Sequence, residues 1–185
     1  MRFLLILSLM LCAPFPTAAV NALDQGRGCE KRLLSLINGT QSTIDAAVYA
    51  VNRESIVNAL VNAHNRGVTV RLLTDRAQLA AVKDTSVIDR LAAAGIEVRA
   101  HTSKGLMHAK IAVFDGKSAI SGSFNWTDSA VERNSEVCNL FIDAPDDAAR
   151  HQRLFDKLWR QNSREKSDRW LKMRGRCGDI PLLRT

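Results

Sequence analysis

The chain has 185 residues, 46% of them hydrophobic, with 26 Lys and Arg against 19 Asp and Glu and a formal charge of +7. That size fits one domain of common length and excludes a chain too short to bury a core of its own. The positive charge suits a polyanion such as nucleic acid or an anionic membrane face, or serves solubility alone, and charge by itself excludes none of the three.

Residues 1–19 carry one Arg, an apolar run, helix-breaking prolines and small residues at the end, which is the pattern of a secretory signal peptide. The apolar run is short for a bilayer span. The expectation is an exported protein, periplasmic or secreted, without stable membrane insertion, cleaved after Ala19 or alternatively after Ala22. Leu11 is bulky for the position ahead of a lipidated cysteine, which disfavours lipoprotein processing at Cys12.

Leu33, Leu34, Leu36 and Ile37 sit near helical spacing and predict a helix over 28–38, ended by Asn38-Gly39. Residues 42–51 are β-rich and apolar except at Asp45, as a largely buried strand is. Residues 54–66 read as an amphipathic helix closed by Arg66-Gly67, 68–74 as a strand, 85–94 as a helix stopped by Gly95, and 96–100 as a strand. This β-α-β-α-β alternation predicts parallel strands joined by helical crossovers. A short loop, 102–106, follows. Strands are then expected at 110–114 and 118–121 around the hairpin signal Asp115-Gly116, and another at 135–143. A last helix spans 146–161, with Leu154, Phe155, Leu158 and Trp159 on its apolar side. The expected fold class is α/β, a mixed, mainly parallel β-sheet flanked by helices on both faces, in a single domain over 28–161.

Residues 162–185 form a basic tail with Arg164, Lys166, Arg169, Lys172, Arg174 and Arg176 around Trp170. Such a segment suits tracking a nucleic-acid backbone with one stacked base, and equally suits a solvated tail with an anchoring Trp. Cleavage of the leader leaves Cys29, Cys138 and Cys177. Cys138 lies in an apolar run, as a buried thiol does. Cys29 and Cys177 lie near the two ends of the folded part, where termini are often close, and form the candidate disulfide.

The chemistry-bearing stretch runs from Met107 to Asn125 and fixes His108, Lys110, Asp115, Gly122, Ser123 and Asn125 in the pattern H-x-K-x4-D-x6-G-S-x-N. Six such positions arise by chance in roughly one in several hundred thousand chains of this length. His108 and Lys110 are two apart, so on a strand they share a face and set an imidazole beside a cation. Asn125 adds an amide donor, Ser123 a hydroxyl, and Gly122 permits the close backbone approach of an anion site. A neutral imidazole can attack phosphorus while Lys and Asn hold the non-bridging oxygens.

At these residues, and through Glu132-Arg-Asn-Ser-Glu136, the chain resembles the phospholipase D superfamily, above all its short, single-motif bacterial endonucleases, over about residues 30–161. The resemblance implies the following roles. His108 is the nucleophile that forms a phosphohistidine, and Lys110, Ser123 and Asn125 bind the phosphate. Glu136 is the carboxylate that holds the imidazole, and Asp115 is a signature residue of mainly structural use. It also implies a homodimer. The chain carries the motif once, the leaving oxygen needs an acid, and a second copy would bring its own His108 to a composite site on the two-fold axis. No metal site and no cofactor are expected, because His64, His101 and His151 are scattered and a Lys and Asn clamp needs no divalent ion. His101 is expected to serve on a surface loop. Three functions stay open: a secreted, metal-independent phosphodiesterase on DNA or RNA, a phospholipase D on phospholipids, and a non-catalytic basic binding module. The intact motif disfavours the third.

Overall fold

The computed structural model describes residues 20–21, 26–77 and 86–169. The predicted leader, Cys177 and the tail beyond residue 169 lie outside the described residues. The elements in chain order are β1 (Val20–Asn21), α1 (Gly26–Gly39), β2 (Thr43–Val48), α2 (Glu54–Asn65), β3 (Thr69–Asp75), α3 (Ser86–Ala93), β4 (Glu97–His101), β5 (Lys110–Phe114), β6 (Ser118–Gly122), α4 (Asp128–Glu132), β7 (Cys138–Phe141) and α5 (Pro145–Gln161). The strands form one sheet in the order β1-β7-β6-β5-β2-β3-β4.

The α/β class with a mixed sheet is as expected, but the sheet is not mainly parallel. Only β2·β3 and β3·β4 are parallel; β2·β5, β5·β6, β6·β7 and β1·β7 are antiparallel. A crossover helix returns the chain to the same end of the sheet, so β2, β3 and β4 run together. After β4 a loop carries the chain straight down alongside β2, and short connections then reverse direction at each step.

Alternation along the strands divides the core into two layers. Ile44, Ala46, Val48, Val70, Leu72, Ala112, Phe114 and Ile120 face α1, α2 and α3, where Leu33, Ile37, Ile56, Leu60 and Leu91 are buried. Ala47, Leu73 and Ile111 face the other way onto Phe155 and Trp159 of α5, with Met107 in the same cluster. Helices therefore cover both faces. Leu154, expected on the apolar side of the last helix, is 43% exposed and points outward. Asp45, the polar exception in β2, is buried beneath α5. It accepts two hydrogen bonds from Arg71 at 2.6 Å and one from Gln152 at 2.7 Å, and Arg71 lies over the Phe155 ring at 4.9 Å.

The hairpin signal at Asp115-Gly116 forms as expected. Asp115 (φ 52) and Gly116 (φ 63) both take left-handed backbone, which such tight turns require, and the Lys117 N–H closes on the Phe114 carbonyl at 3.0 Å.

Cys138 is not a free buried thiol. It is bonded to Cys29, with Cα atoms 5.8 Å apart, so the expected Cys29–Cys177 pair does not form. The bond ties α1 to β7. His101 is also not on a surface loop: it is the last residue of β4 and is buried. Residues 162–169, the start of the segment read as a tail, pack on the free edge of β4. The Ala100 N–H donates to Ser167 Oγ at 2.8 Å and the Thr102 N–H to Asn162 Oδ1 at 2.9 Å, with Asn162 and Ser167 fully buried. Two side chains thus satisfy backbone donors that an edge strand leaves open.

Candidate active site

The sheet directions gather the motif at one pole. β5 begins where β2 ends, since Val48 pairs with Lys110, and Gly122 at the end of β6 pairs with Cys138 at the start of β7. His108 and Lys110 precede or open β5, Ser123 and Asn125 follow β6, and Glu136 precedes β7, so all five share this end of the sheet. Asp115 follows the opposite end of β5, roughly 16 Å from Lys110 along the strand at ~3.3 Å per residue. There it accepts the backbone N–H groups of Gln41, Ser42 and Thr43 at 2.7–2.9 Å. Burial raises its pKa, but the three hydrogen bonds outweigh burial and hold the carboxyl below its ordinary value. Its place fits a structural staple and not contact with the pole.

His108 is exposed, whereas Lys110 is only 7% exposed. The ammonium donates to the His108 carbonyl at 2.9 Å and lies 5.2 Å from the centroid of the Tyr49 ring. The same ring meets the His108 imidazole edge to face at 4.8 Å. Burial pushes the Lys110 pKa down, and the negative charge of Glu136 opposes that shift. Tyr49 escapes sequence reading because it follows β2, far from the motif. The signal available was a lone tyrosine, the only one in the chain, ending an apolar strand.

Ser123 and Glu136 are joined directly, the hydroxyl donating to Oε2 and accepting the Val137 N–H at 3.0 Å. Asn134 Nδ2 donates to the other carboxylate oxygen at 2.9 Å. Both oxygens of Glu136 are therefore engaged locally, and among the described residues no hydrogen bond joins Glu136 to His108. Gly122 makes the arrangement possible. A Cβ there would stand 2.0 Å from the Val137 carbonyl oxygen, and its φ of +154° suits glycine alone. Asn125 is fixed by its neighbour Trp126, whose N–H donates to Ala50 O and whose carbonyl accepts from Asn52 and Arg53. Asn125 Oδ1 is buried without a hydrogen-bond partner. Among the described residues no group of three or more His, Cys, Asp or Glu is placed to hold a metal ion. The arrangement offers an accessible imidazole, a buried cation, an amide and a hydroxyl-bound carboxylate at one end of the sheet, a set able to bind and attack a phosphodiester.

The family profile described as "Cardiolipin synthase, PLD-like domain" matches residues 33–159. A mitochondrial cardiolipin hydrolase of Chlamydomonas reinhardtii is 38% identical over 128 residues, covering 69% of this chain and 56% of that protein. A phospholipase D of Rickettsia prowazekii is 38% identical over 116 residues, covering 63% and 56% respectively. The chain thus spans little more than half the length of these relatives. Among solved structures, the phospholipase D family member Nuc of Salmonella typhimurium superposes with a TM-score of 0.69 at 26% identity, covering 72% of this chain and 88% of Nuc. NucT of Helicobacter pylori shares the fold with a TM-score of 0.65 at 21% identity, covering 74% and 91%. With its pole of His108, Lys110, Ser123, Asn125 and Glu136 on this sheet, the chain belongs to the phospholipase D superfamily.

Proposed function

We propose that this chain is an exported, metal-independent phosphodiesterase whose preferred substrate is nucleic acid. The observation that carries the reading is an exposed His108 imidazole whose own backbone is held by the buried Lys110 ammonium. His108 in its neutral form attacks phosphorus, the bond to the leaving oxygen breaks, and an acid protonates that oxygen. Water then attacks the phosphohistidine and frees the imidazole. Lys110 and Asn125 hold the non-bridging oxygens as charge develops. The buried, unpartnered Asn125 Oδ1 supports contact with a donor of a second subunit, because buried polar atoms are nearly always paired. The acid is the His108 of a second copy of the chain, in a homodimer with one composite site. The Cys29–Cys138 bond supports export, since disulfides persist in oxidising compartments. The net positive charge supports a polyanionic substrate.

A phospholipid substrate is the second reading. Leu106 is 62% exposed and Val137 39% exposed, one two residues before His108 and the other next to Glu136. Apolar groups at the rim suit acyl chains, and relatives carry the names cardiolipin hydrolase and phospholipase D. Purified protein is assayed on supercoiled plasmid DNA, RNA and cardiolipin vesicles, each with and without EDTA. Nicking of DNA or cleavage of RNA with intact lipid is expected. Release of phosphatidic acid with intact nucleic acid selects the second reading, and no turnover of any substrate by folded protein refutes both.

A further inference from the structure

We infer that Asp75, backed by His101, is a positioning residue for His108: its carboxylate holds the backbone immediately before the reactive imidazole, and its own backbone braces Tyr49, which holds the residue after it. The inference rests on the reading of His108 as nucleophile. Asp75 ends β3, is 1% exposed, and is the register partner of His101 at the end of β4. Its Oδ2 accepts the N–H of Met107, the residue before His108, at 2.7 Å, and its Oδ1 accepts the Ala77 N–H at 2.8 Å.

The other flank is reached through Tyr49. The Asp75 N–H and the Thr74 hydroxyl both donate to the Tyr49 carbonyl, at 3.4 and 3.1 Å, and the Tyr49 N–H donates to the carbonyl of Ala109, the residue after His108, at 2.9 Å. The Tyr49 ring then contacts the imidazole itself. Residues 103–106 make no hydrogen bond among the described residues, so the Asp75–Met107 bond is where the incoming loop is clamped before it delivers His108.

A carboxylate this deeply buried is costly unless its lone pairs are filled and its charge is answered. Two backbone donors fill it. The only cationisable group at ion-pair distance among the described residues is His101, whose Nδ1 lies 3.6 Å from Oδ2, is buried and has no hydrogen-bond partner. An asparagine at position 75 keeps the shape but has one acceptor oxygen for two N–H donors, and its NH2 would confront one of them. The imidazole would remain present and be held less well. Misplacing a reacting group lowers turnover steeply, because attack demands near-contact geometry.

The test is steady-state hydrolysis of bis(p-nitrophenyl) phosphate by the full chain, with folding followed by circular dichroism. Asp75→Asn is compared with wild type, His108→Ala and Asp45→Asn. The last variant weakens the buried Asp45–Arg71 pair away from the pole and reports what lost stability alone does. The expected result for Asp75→Asn is a kcat at least tenfold lower with KM within twofold, while Asp45→Asn melts earlier and keeps its kcat. His101→Leu is expected to lower kcat severalfold and His101→Gln, which restores a donor, to recover most of it; this pair carries the test if Asp75→Asn does not fold. Wild-type kcat in folded Asp75→Asn, or a rise in KM alone, overturns the inference while a dead His108→Ala leaves the nucleophile in place. An active His108→Ala instead removes the reading on which the inference stands.

Discussion

Tyr49 meets His108 edge to face, with ring centroids 4.8 Å apart and planes inclined at 60°. The contact confines the imidazole without using either of its nitrogens, leaving both for chemistry. Tyr49→Phe is expected to keep near-normal turnover, since the ring makes the contact. Tyr49→Ala removes an aromatic pair worth ~0.5–1.5 kcal/mol, and a kcat about two- to tenfold lower on a small phosphodiester is the expected reading. Equal losses in both variants would show that the hydroxyl, not the ring, is what matters.

His108→Ala should abolish turnover while the melting temperature stays near that of wild type, because an exposed side chain contributes little packing. Rapid quenching of the wild type with phosphorus-labelled substrate should trap label that is acid-labile and base-stable, as a phosphohistidine is. Label recovered on serine would transfer the nucleophilic role to Ser123.

Hydrolysis should survive chelation. Charge on the phosphate is answered by Lys110 and donors of the chain itself, so EDTA in excess is expected to leave the initial rate within about twofold. A rate abolished by EDTA and restored by Mg²⁺ would replace this mechanism with a metal-assisted one.

The Cys29–Cys138 bond closes a long loop, with 109 residues of separation. Paired replacement by serine should lower unfolding free energy by roughly 2–5 kcal/mol, read as a lower urea midpoint. Wild type in reducing agent should shift by a similar amount. An unchanged midpoint in both would leave the bond without a stabilising role.

Asp115 gives stability a defined pH dependence. Its folded-state pKa lies below its unfolded value because three backbone N–H groups favour the carboxylate over the opposing effect of burial. The stabilisation is therefore fully present above the unfolded pKa and is lost as pH falls through the folded one. Urea midpoints measured downward from neutral pH should fall at acid pH in wild type and fall less steeply in Asp115→Asn, which begins lower. Parallel curves for the two proteins would mean that Asp115 does not titrate differently on folding.

The motif, the α/β class and most element boundaries were legible in the sequence, for local reasons. Helical spacing at Leu33, Leu36 and Ile37, glycine stops at Gly67 and Gly95, and the Asp115-Gly116 turn act within a few residues and need no partner. The sequence also set His108 two residues from Lys110, but the structure puts only Lys110 on the strand: His108 precedes β5 and is exposed while Lys110 is buried. Sheet direction was not legible, because parallel or antiparallel pairing of β5 depends on where the chain re-enters after β4, and β2, its neighbour, lies more than sixty residues earlier. Separation in sequence also hid Tyr49 and Asp75, which come from the ends of β2 and β3 and meet the motif only once the sheet is formed. Cysteine pairing failed likewise: proximity of termini is a weak guide, and only the packing of α1 against the β7 end of the sheet brings Cys29 to Cys138. Only the folded sheet sets Asp115 at the far end of β5 while the other motif residues share a pole, because antiparallel pairing of β5, β6 and β7 returns positions eleven to twenty-eight residues apart to the same edge.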